Sequence, residues 1–125
     1  MINKIESVLL FSANAKKLGS FYEKTFGLQK DFVAEMGEDG EKLVAFKLKG
    51  AGFAILDHSK IKGKAKEPSR TIINFEVGNI KKEFARLKKA KVKVHEDIYH
   101  VEGYGYIATF VDPDGNYLQI VQVKG

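Results

Sequence analysis

The sequence predicts an α+β protein in which the element order β-α-β-β-β occurs twice. Asn14 and Asn79 each suit the N-cap of a helix, and they lie 79 − 14 = 65 residues apart, about half of the 125-residue chain. Each is followed two residues later by a Lys-Lys pair. Near the end of the chain, Asp112-Pro113-Asp114-Gly115 has the composition of a type I turn, and β-prone runs flank it on both sides. The sequence therefore indicates two similar units, the second closed by a tight hairpin.

In the first unit, residues 4–12 alternate and then run apolar, which predicts a buried strand. The helix after Asn14 is expected to end at Gly27, which suits a left-handed stop. Its apolar stripe, at the spacing i, i+3, i+4 and i+7, consists of Leu18, Phe21, Tyr22 and Thr25. Three further strands are expected over 28–36, 42–49 and 53–57, with turns at 37–40 and 50–52.

The second unit repeats this order after a polar, lysine-rich loop over 58–69 that contains Pro68. A strand is expected over 70–77, and the helix after Asn79 buries a stripe of Ile80, Phe84 and Leu87. The remaining elements are expected as a strand over 92–98, a bend over 99–105 and a closing hairpin over 106–123.

The hairpin turn fixes the direction of the side chains that follow it. Alternation places Tyr117, Gln119 and Val121 on one face of the last strand, with Leu118 and Ile120 on the other. An amide on so apolar a strand indicates a lined cavity. The alternative is that Gln119 lies on a solvated face, since one face of an antiparallel sheet is often wet.

Composition excludes several classes of function. The chain has 21 Lys+Arg against 16 Asp+Glu, a net charge of +5, and no cysteine, so it has no disulfide, thiol nucleophile or thiolate metal site. Its lysines are spread over a loop and a helix without a recognised nucleic-acid module. No stretch approaches the roughly 18 apolar residues of a membrane span, and residues 1–6 lack an apolar signal core. We expect a soluble cytoplasmic protein with no nucleic-acid or membrane partner.

Three motifs in order resemble one known family. The first is the segment 14–28 with its Phe21-Tyr22 and Phe26-Gly27-Leu28 features, the second is Phe75-Glu76-Val77-Gly78-Asn79, and the third is Asp112-Pro113-Asp114-Gly115-Asn116. Together they resemble the vicinal oxygen chelate superfamily of glyoxalases, bleomycin-resistance proteins and extradiol dioxygenases. The resemblance covers essentially the whole chain.

The resemblance implies a single domain over 1–125. Repeat one covers about 1–57, the linker 58–69 and repeat two about 70–125, and the repeats form a curved, mostly antiparallel sheet around a cavity. A homodimer is also implied. The scaffold hosts several activities, so the fold alone does not assign one.

Metal-dependent members of this family take four ligands, mostly His and Glu, from four strands. The matching positions here are Ser7, one of Ala54, Ile55 or Leu56, Ile72, and Gln119. A divalent cation prefers imidazole, carboxylate or thiolate ligands, so no metal cofactor is predicted. A displaced centre built from His58, His95-Glu96-Asp97 and His100-Val101-Glu102 is the alternative, and ordinary surface histidines are favoured over it.

A small-molecule pocket is expected where polar side chains meet apolar walls. The polar set predicted on the cavity side is Ser7, Asn74, Glu76 and Gln119, and the walls are Leu9, Phe11, Ile72, Tyr117 and Val121. Tyr104 and Tyr106 are expected to cap its mouth. Glu76, if buried, is the candidate general acid or base; the alternative is that it pairs with a lysine at the strand end.

Three functions follow from this pocket. The favoured one is a small-molecule-binding protein that sequesters or senses a neutral or anionic organic ligand without metal, since a chain at +5 repels a cationic drug such as bleomycin. The first alternative is an enzyme of lyase, isomerase or dioxygenase type that uses Glu76 or a displaced metal. The second is a non-catalytic interaction domain.

Overall fold

The computed structural model describes residues 1–124 and divides into two compact units at Gly63 and Lys64. That boundary lies inside the predicted loop 58–69. Each unit has the order β-α-β-β-β, so the α+β class and the repeated order are confirmed. A single cavity lined by both units stays a prediction.

The first unit forms a four-stranded sheet with one covering helix. Strand order is β1-β4-β3-β2, with β1 and β4 parallel and the other pairs antiparallel. The bounds are β1 Ser7–Ser12, α1 Ala15–Ser20, a π-helical segment Phe21–Phe26, β2 Lys30–Met36, β3 Glu41–Phe46 and β4 Gly52–Asp57.

The second unit has the same arrangement. Its strand order is β5-β8-β7-β6, with β5 and β8 parallel. The bounds are a 3-10 turn Pro68–Arg70, β5 Ile73–Glu76, α2 Ile80–Lys89, β6 Lys93–Val101, β7 Gly105–Val111 and β8 Tyr117–Val123. No helix within residues 1–124 has the length and apolar character needed to cross a bilayer.

Both helices begin where the sequence predicts. The side-chain oxygen of Asn14 accepts a hydrogen bond from Lys17 N at 3.0 Å, and that of Asn79 accepts one from Lys82 N at 3.1 Å. Each cap satisfies a backbone donor that would otherwise lack a partner. The predicted left-handed stop at Gly27 is also confirmed, with φ of 99°.

The first helix differs from the prediction in its second half. From Phe21 the backbone is π-helical, and Tyr22 O accepts a hydrogen bond from Gly27 N, five residues on, at 3.0 Å. The wider turn moves the buried stripe by one residue. Phe26 is therefore buried, whereas Thr25, predicted in the stripe, is only half-buried.

Two strand boundaries in the second unit also differ. The predicted strand 70–77 shortens to Ile73–Glu76, because Pro68–Arg70 forms a 3-10 turn. The predicted bend 99–105 was wrong over its first residues, because β6 continues to Val101 and pairs with Gly105. Gly105 has φ of +143°, and a Cβ there would collide with the carbonyl oxygen of Gln122. Only glycine fits this close approach.

One face of each sheet is buried under its helix. In the first unit Tyr22 packs edge-on against Phe53, with ring centroids 5.5 Å apart. In the second unit Phe84 of α2 packs on Phe110 at 5.3 Å. Within residues 1–124 each helix covers only this face of its own sheet, and on the opposite face of the first sheet Leu9, Phe11 and Phe32 are exposed.

The closing hairpin has the predicted turn. Gly115 N donates to Asp112 O at 2.9 Å, which closes the four-residue turn. The Asp112 side chain is only 4% exposed and accepts from Asp114 N at 2.9 Å and from Asn116 N at 3.0 Å. The register of β8 therefore follows from the turn, as the sequence predicts.

Candidate functional site

A row of polar side chains crosses the open face of the second sheet. Strand register pairs Asn74 with Gln119, Gln119 with Thr109, and Thr109 with Glu96. Paired residues point to the same face, so each of the four strands contributes one polar side chain to the row. The row lies opposite the face that packs on α2.

The centre of the row is fixed by a side-chain hydrogen bond. Gln119 Nε2 donates to Thr109 Oγ1 at 3.0 Å. Thr109 is only 3% exposed, whereas Gln119 is half-buried and Asn74 is exposed. The bond fixes the orientation of the Gln119 amide at the boundary between core and solvent.

An aromatic pair flanks the row on one side. Tyr117, two residues before Gln119, stacks on the imidazole of His95 with ring centroids 4.1 Å apart and an interplanar angle of 21°. Val94 pairs with Phe110, which packs on α2, so alternation places the next residue, His95, on the open face. The register shift after Val94 then brings Glu96 to the same face. The sequence predicts a strand over 92–98 but does not fix its pairing, so His95 was not assigned to the pocket.

The other side of the row combines one exposed carboxylate with buried apolar side chains. Glu76 pairs with Val121, and Val121 pairs with Ile107, so Glu76 lies on the predicted face. Its side chain is exposed, however, whereas Val121 and Ile107 are buried. The acid–base hypothesis required a buried Glu76 side chain, and the side chain is not buried. The acid–base role of Glu76 stays a prediction.

The first sheet places its predicted site residues on its own open face. Ser7, Leu9 and Phe11 alternate along β1, in register with Gly52, Ala54 and Leu56 of β4. The surface is apolar apart from Ser7. The Phe11 ring meets His58 edge-on, with centroids 5.4 Å apart.

Three predicted site residues lie outside the polar row and outside β1. Tyr104 is in the turn between β6 and β7. Tyr106 pairs with Gln122, whose side-chain oxygen accepts from Ile80 N of α2 at 2.8 Å. Tyr106 therefore lies on the helix-covered side, beside His100 with ring centroids 4.9 Å apart. Ile72 immediately precedes β5 and is half-buried.

The family model of the Glyoxalase/Bleomycin resistance protein/Dioxygenase superfamily matches residues 4–120. The chain belongs to this superfamily. The resemblance carried by the three sequence motifs is thereby confirmed. A search of curated proteins found no match.

Several solved structures share the fold. A glyoxalase family protein from Enterococcus faecalis has 18% identity and a TM-score of 0.76, covering 96% of this chain and 98% of that chain. TnmS3, an antibiotic binding protein from Streptomyces sp. CB03234, has 19% identity and a TM-score of 0.73, covering 98% of each chain. The fosfomycin resistance protein FosX from Listeria monocytogenes has 16% identity and a TM-score of 0.76, covering 99% of this chain and 96% of that chain.

The register identifies the residue that corresponds to Gln119 in the first repeat. In the first repeat Leu9 pairs with Ala54, and in the second repeat Asn74 pairs with Gln119. Leu9 lies 65 residues before Asn74, and Ala54 lies 65 residues before Gln119. Of the three residues 54–56, Ala54 is therefore the one that corresponds to Gln119.

These positions do not suit a divalent cation. They offer the Ser7 hydroxyl, the aliphatic side chains of Ala54 and Ile72, and the Gln119 amide, which already donates to Thr109. Among residues 1–124, no three or more His, Cys, Asp or Glu side chains cluster closely enough to hold a metal ion.

Proposed function

We propose that this protein binds a neutral or anionic organic molecule on the open face of its second sheet, without a metal ligand set. The observation that carries this proposal is the Gln119–Thr109 hydrogen bond beside the stacked Tyr117–His95 pair. A few fixed polar groups within an apolar and aromatic surface are the usual composition of a small-molecule site.

Each part of this surface has a distinct role in binding. The stacked rings offer a flat surface on which a planar group gains dispersion and desolvation energy. The Gln119 amide is already oriented by Thr109, so binding costs little side-chain entropy there. Asn74, in register with Gln119, adds a second donor and acceptor. The preferred ligand therefore carries a planar ring and a hydrogen-bonding group.

Two structural relatives agree with this class of function. TnmS3 is described as an antibiotic binding protein and FosX as a fosfomycin resistance protein. The net charge of +5 favours a neutral or anionic ligand over a cationic one.

The proposal extends to residues that the sequence analysis assigned to the pocket. We propose further ligand contacts within each unit by itself: Ser7, Leu9 and Phe11 on the first open face, and Ile72 and Tyr104 in the second unit. A homodimer in the cytoplasm is proposed as the working state. The exposed apolar residues of the first open face support the dimer, because a second copy would remove them from water.

The test is ligand binding to a matched pair of glutamine variants. Benzoates, naphthoates and uncharged aromatic amides are screened by the rise in the midpoint of thermal unfolding. At least one compound is expected to stabilise the native protein. Gln119→Leu should weaken its binding about tenfold, the value of a lost hydrogen bond. Gln29→Leu, at an exposed position of the first unit, should leave binding unchanged.

Equal affinity in Gln119→Leu and in the native protein would show that the polar row is not the site. Failure of every compound to raise the unfolding midpoint would contradict the proposed ligand class.

A further inference from the structure

A groove in the first unit lies on the helix-covered side of the sheet, opposite the open face. Its walls are α1 with the π-helical segment on one side and strands β2 and β3 on the other. Its volume is about 600 Å³, within the range of small-molecule sites. No role in the proposed function draws on this groove.

The floor of the groove is apolar. Val33 of β2 and Val44 of β3 are register partners, so their side chains point to the same side. Val44 is buried at 4% exposure beneath the helix, whereas Val33 on the edge strand is 53% exposed. At the closed end the helix contacts the sheet through Gly19, where a Cβ would lie 3.1 Å from both Val44 methyl groups.

The rim of the groove is basic. Four lysines and two glutamates line it, a net charge of 4 − 2 = +2. Both glutamates already face a lysine. Glu23 lies 3.8 Å from Lys30, and Glu35 pairs with Lys42, whose ammonium group lowers the pKa of the Glu35 carboxyl.

Two lysines remain for a ligand. Within residues 1–124, neither Lys16 nor Lys24 has an ion-pair partner. Lys16 and Ser20 lie on one side of α1 at i and i+4, Lys24 follows in the π-helical segment, and all three line the groove. The half of this wall that carries Lys24 is π-helical, a backbone form frequent at functional sites.

We propose that this groove is a second ligand site, which takes a small amphipathic carboxylate. The apolar chain of the ligand lies over Val33 and Val44, where it covers the exposed valine. Its carboxylate lies at the helix wall and pairs with the ammonium groups of Lys16 and Lys24. The site is independent of the polar row, which belongs to the other repeat.

The test is a titration of the full chain with octanoate. Binding is monitored by changes in the ¹⁵N chemical shifts of the backbone amides. The expected result is a saturable shift of amides around Gly19, Ser20 and Val33. Lys16→Gln/Lys24→Gln should weaken octanoate binding about tenfold, because each exposed ion pair contributes up to about a factor of five. Lys81→Gln/Lys89→Gln should leave it within twofold. In that control the two exposed lysines that are replaced lie on α2, and they are separated by the same number of residues as Lys16 and Lys24.

Two further probes separate the contribution of the octanoate carboxylate from that of its alkyl chain. Octan-1-ol lacks the carboxylate and inorganic phosphate lacks the chain, and each should bind at least tenfold more weakly than octanoate. Gln119→Leu should not alter the octanoate titration. A result that contradicts ligand binding at the polar row would therefore not contradict octanoate binding in the groove.

The proposal is overturned by any of three results. These are shifts that centre on the open faces, equal weakening in the two double-lysine variants, and no saturable shift up to about 20 mM octanoate, roughly the weakest affinity expected of a specific site. Phosphate binding as tight as octanoate binding would also overturn it, since the apolar floor would then contribute nothing.

Discussion

At the scale of single residues, Asp112 determines the geometry of the last hairpin. Its buried side chain accepts hydrogen bonds from Asp114 N, from Asn116 N and, at 2.9 Å, from Asn116 Nδ2. Hydrogen bonds to a charged group are stronger than neutral ones, and donors left without their acceptor are costly when buried. Asp112 therefore stabilises the turn that sets the position of Gln119.

We expect Asp112→Ala to lower the free energy of unfolding by about 2–3 kcal/mol. The measurement is urea unfolding followed by circular dichroism. Asp39→Ala is the matched control, because Asp39 is exposed in the turn 37–40, and it should change stability by less than about 0.5 kcal/mol. A loss as small in Asp112→Ala as in the control would show that the turn does not depend on this carboxylate.

Single residues also mark where sequence reasoning succeeds and where it fails. Alternation from the turn correctly places Tyr117 and Gln119 on the face of Asn74. The turn does not fix the pairing of β6, so the sequence did not assign His95 to that face or reveal the bulge that brings Glu96 into register with Thr109 beside it. Tyr106 was expected to cap the mouth of the pocket, but its pairing with Gln122 places it on the helix side. Both outcomes depend on strand pairing that local preference does not fix.

At the scale of elements, the contact between α1 and β3 requires the absence of a side chain at Gly19. Alanine has a higher helix propensity than glycine by about 1 kcal/mol. Against this, an added Cβ would lie 3.1 Å from both methyl groups of the buried Val44, closer than an ordinary van der Waals contact. Overpacking of a core typically costs about 1–3 kcal/mol, so the clash outweighs the propensity.

We therefore expect Gly19→Ala to destabilise the protein by on the order of 1 kcal/mol net. Gly78→Ala is the control, because no atom lies within 4 Å of the added Cβ, and it should be close to neutral. In a double-mutant cycle, Val44→Ala should relieve the clash, so that the two substitutions together cost less than the sum of the singles. A strictly additive cycle would contradict the contact.

The repeated architecture is visible in how each helix start is held. Asp57 Oδ1 accepts from Ala15 N at 2.7 Å, and Gln122 Oε1 accepts from Ile80 N at 2.8 Å. Both pairs are 42 residues apart in sequence. The same role is filled by a carboxylate in one repeat and an amide in the other, which is one reason why the halves share little sequence identity.

The two acceptors should differ in their contribution to stability. Asp57 also accepts from Lys42 N at 2.9 Å, and its negative charge interacts favourably with a helix N-terminus. We expect Asp57→Ala to cost about 2–3 kcal/mol and Gln122→Ala about 1 kcal/mol of unfolding free energy. Thermal and urea unfolding of the two variants measure this difference. A greater loss in Gln122→Ala would contradict the assignment of the roles.

Element order was predictable because caps, turns and periodicity are local signals. Asn14, Asn79 and Gly27 act as their residue types indicate. The π-helical segment was not predictable, because a stripe of spacing i, i+3, i+4 and i+7 indicates an ordinary α-helix. The π-helical segment buries Phe26, and the local spacing did not indicate this burial.

At the scale of the whole molecule, the sequence identifies the superfamily but not its ligand. Three weak motifs at the right separations are enough for the fold, and the match over residues 4–120 confirms it. A fold of this kind can host several functions, and we propose that the few side chains of each open face determine the ligand chemistry. The proposal of an organic ligand rather than a metal centre rests on Ser7, Ala54, Ile72 and Gln119, whose side chains are poor ligands for a divalent cation.

Native mass spectrometry of the purified protein tests this account most directly, because it weighs the subunits together with whatever they hold. The account predicts an assembly of two 14.0-kDa chains carrying an organic molecule, with that added mass lost in Gln119→Leu and kept in Gln29→Leu. A stoichiometric divalent metal as the bound species, in the native protein and in Gln119→Leu alike, would contradict it.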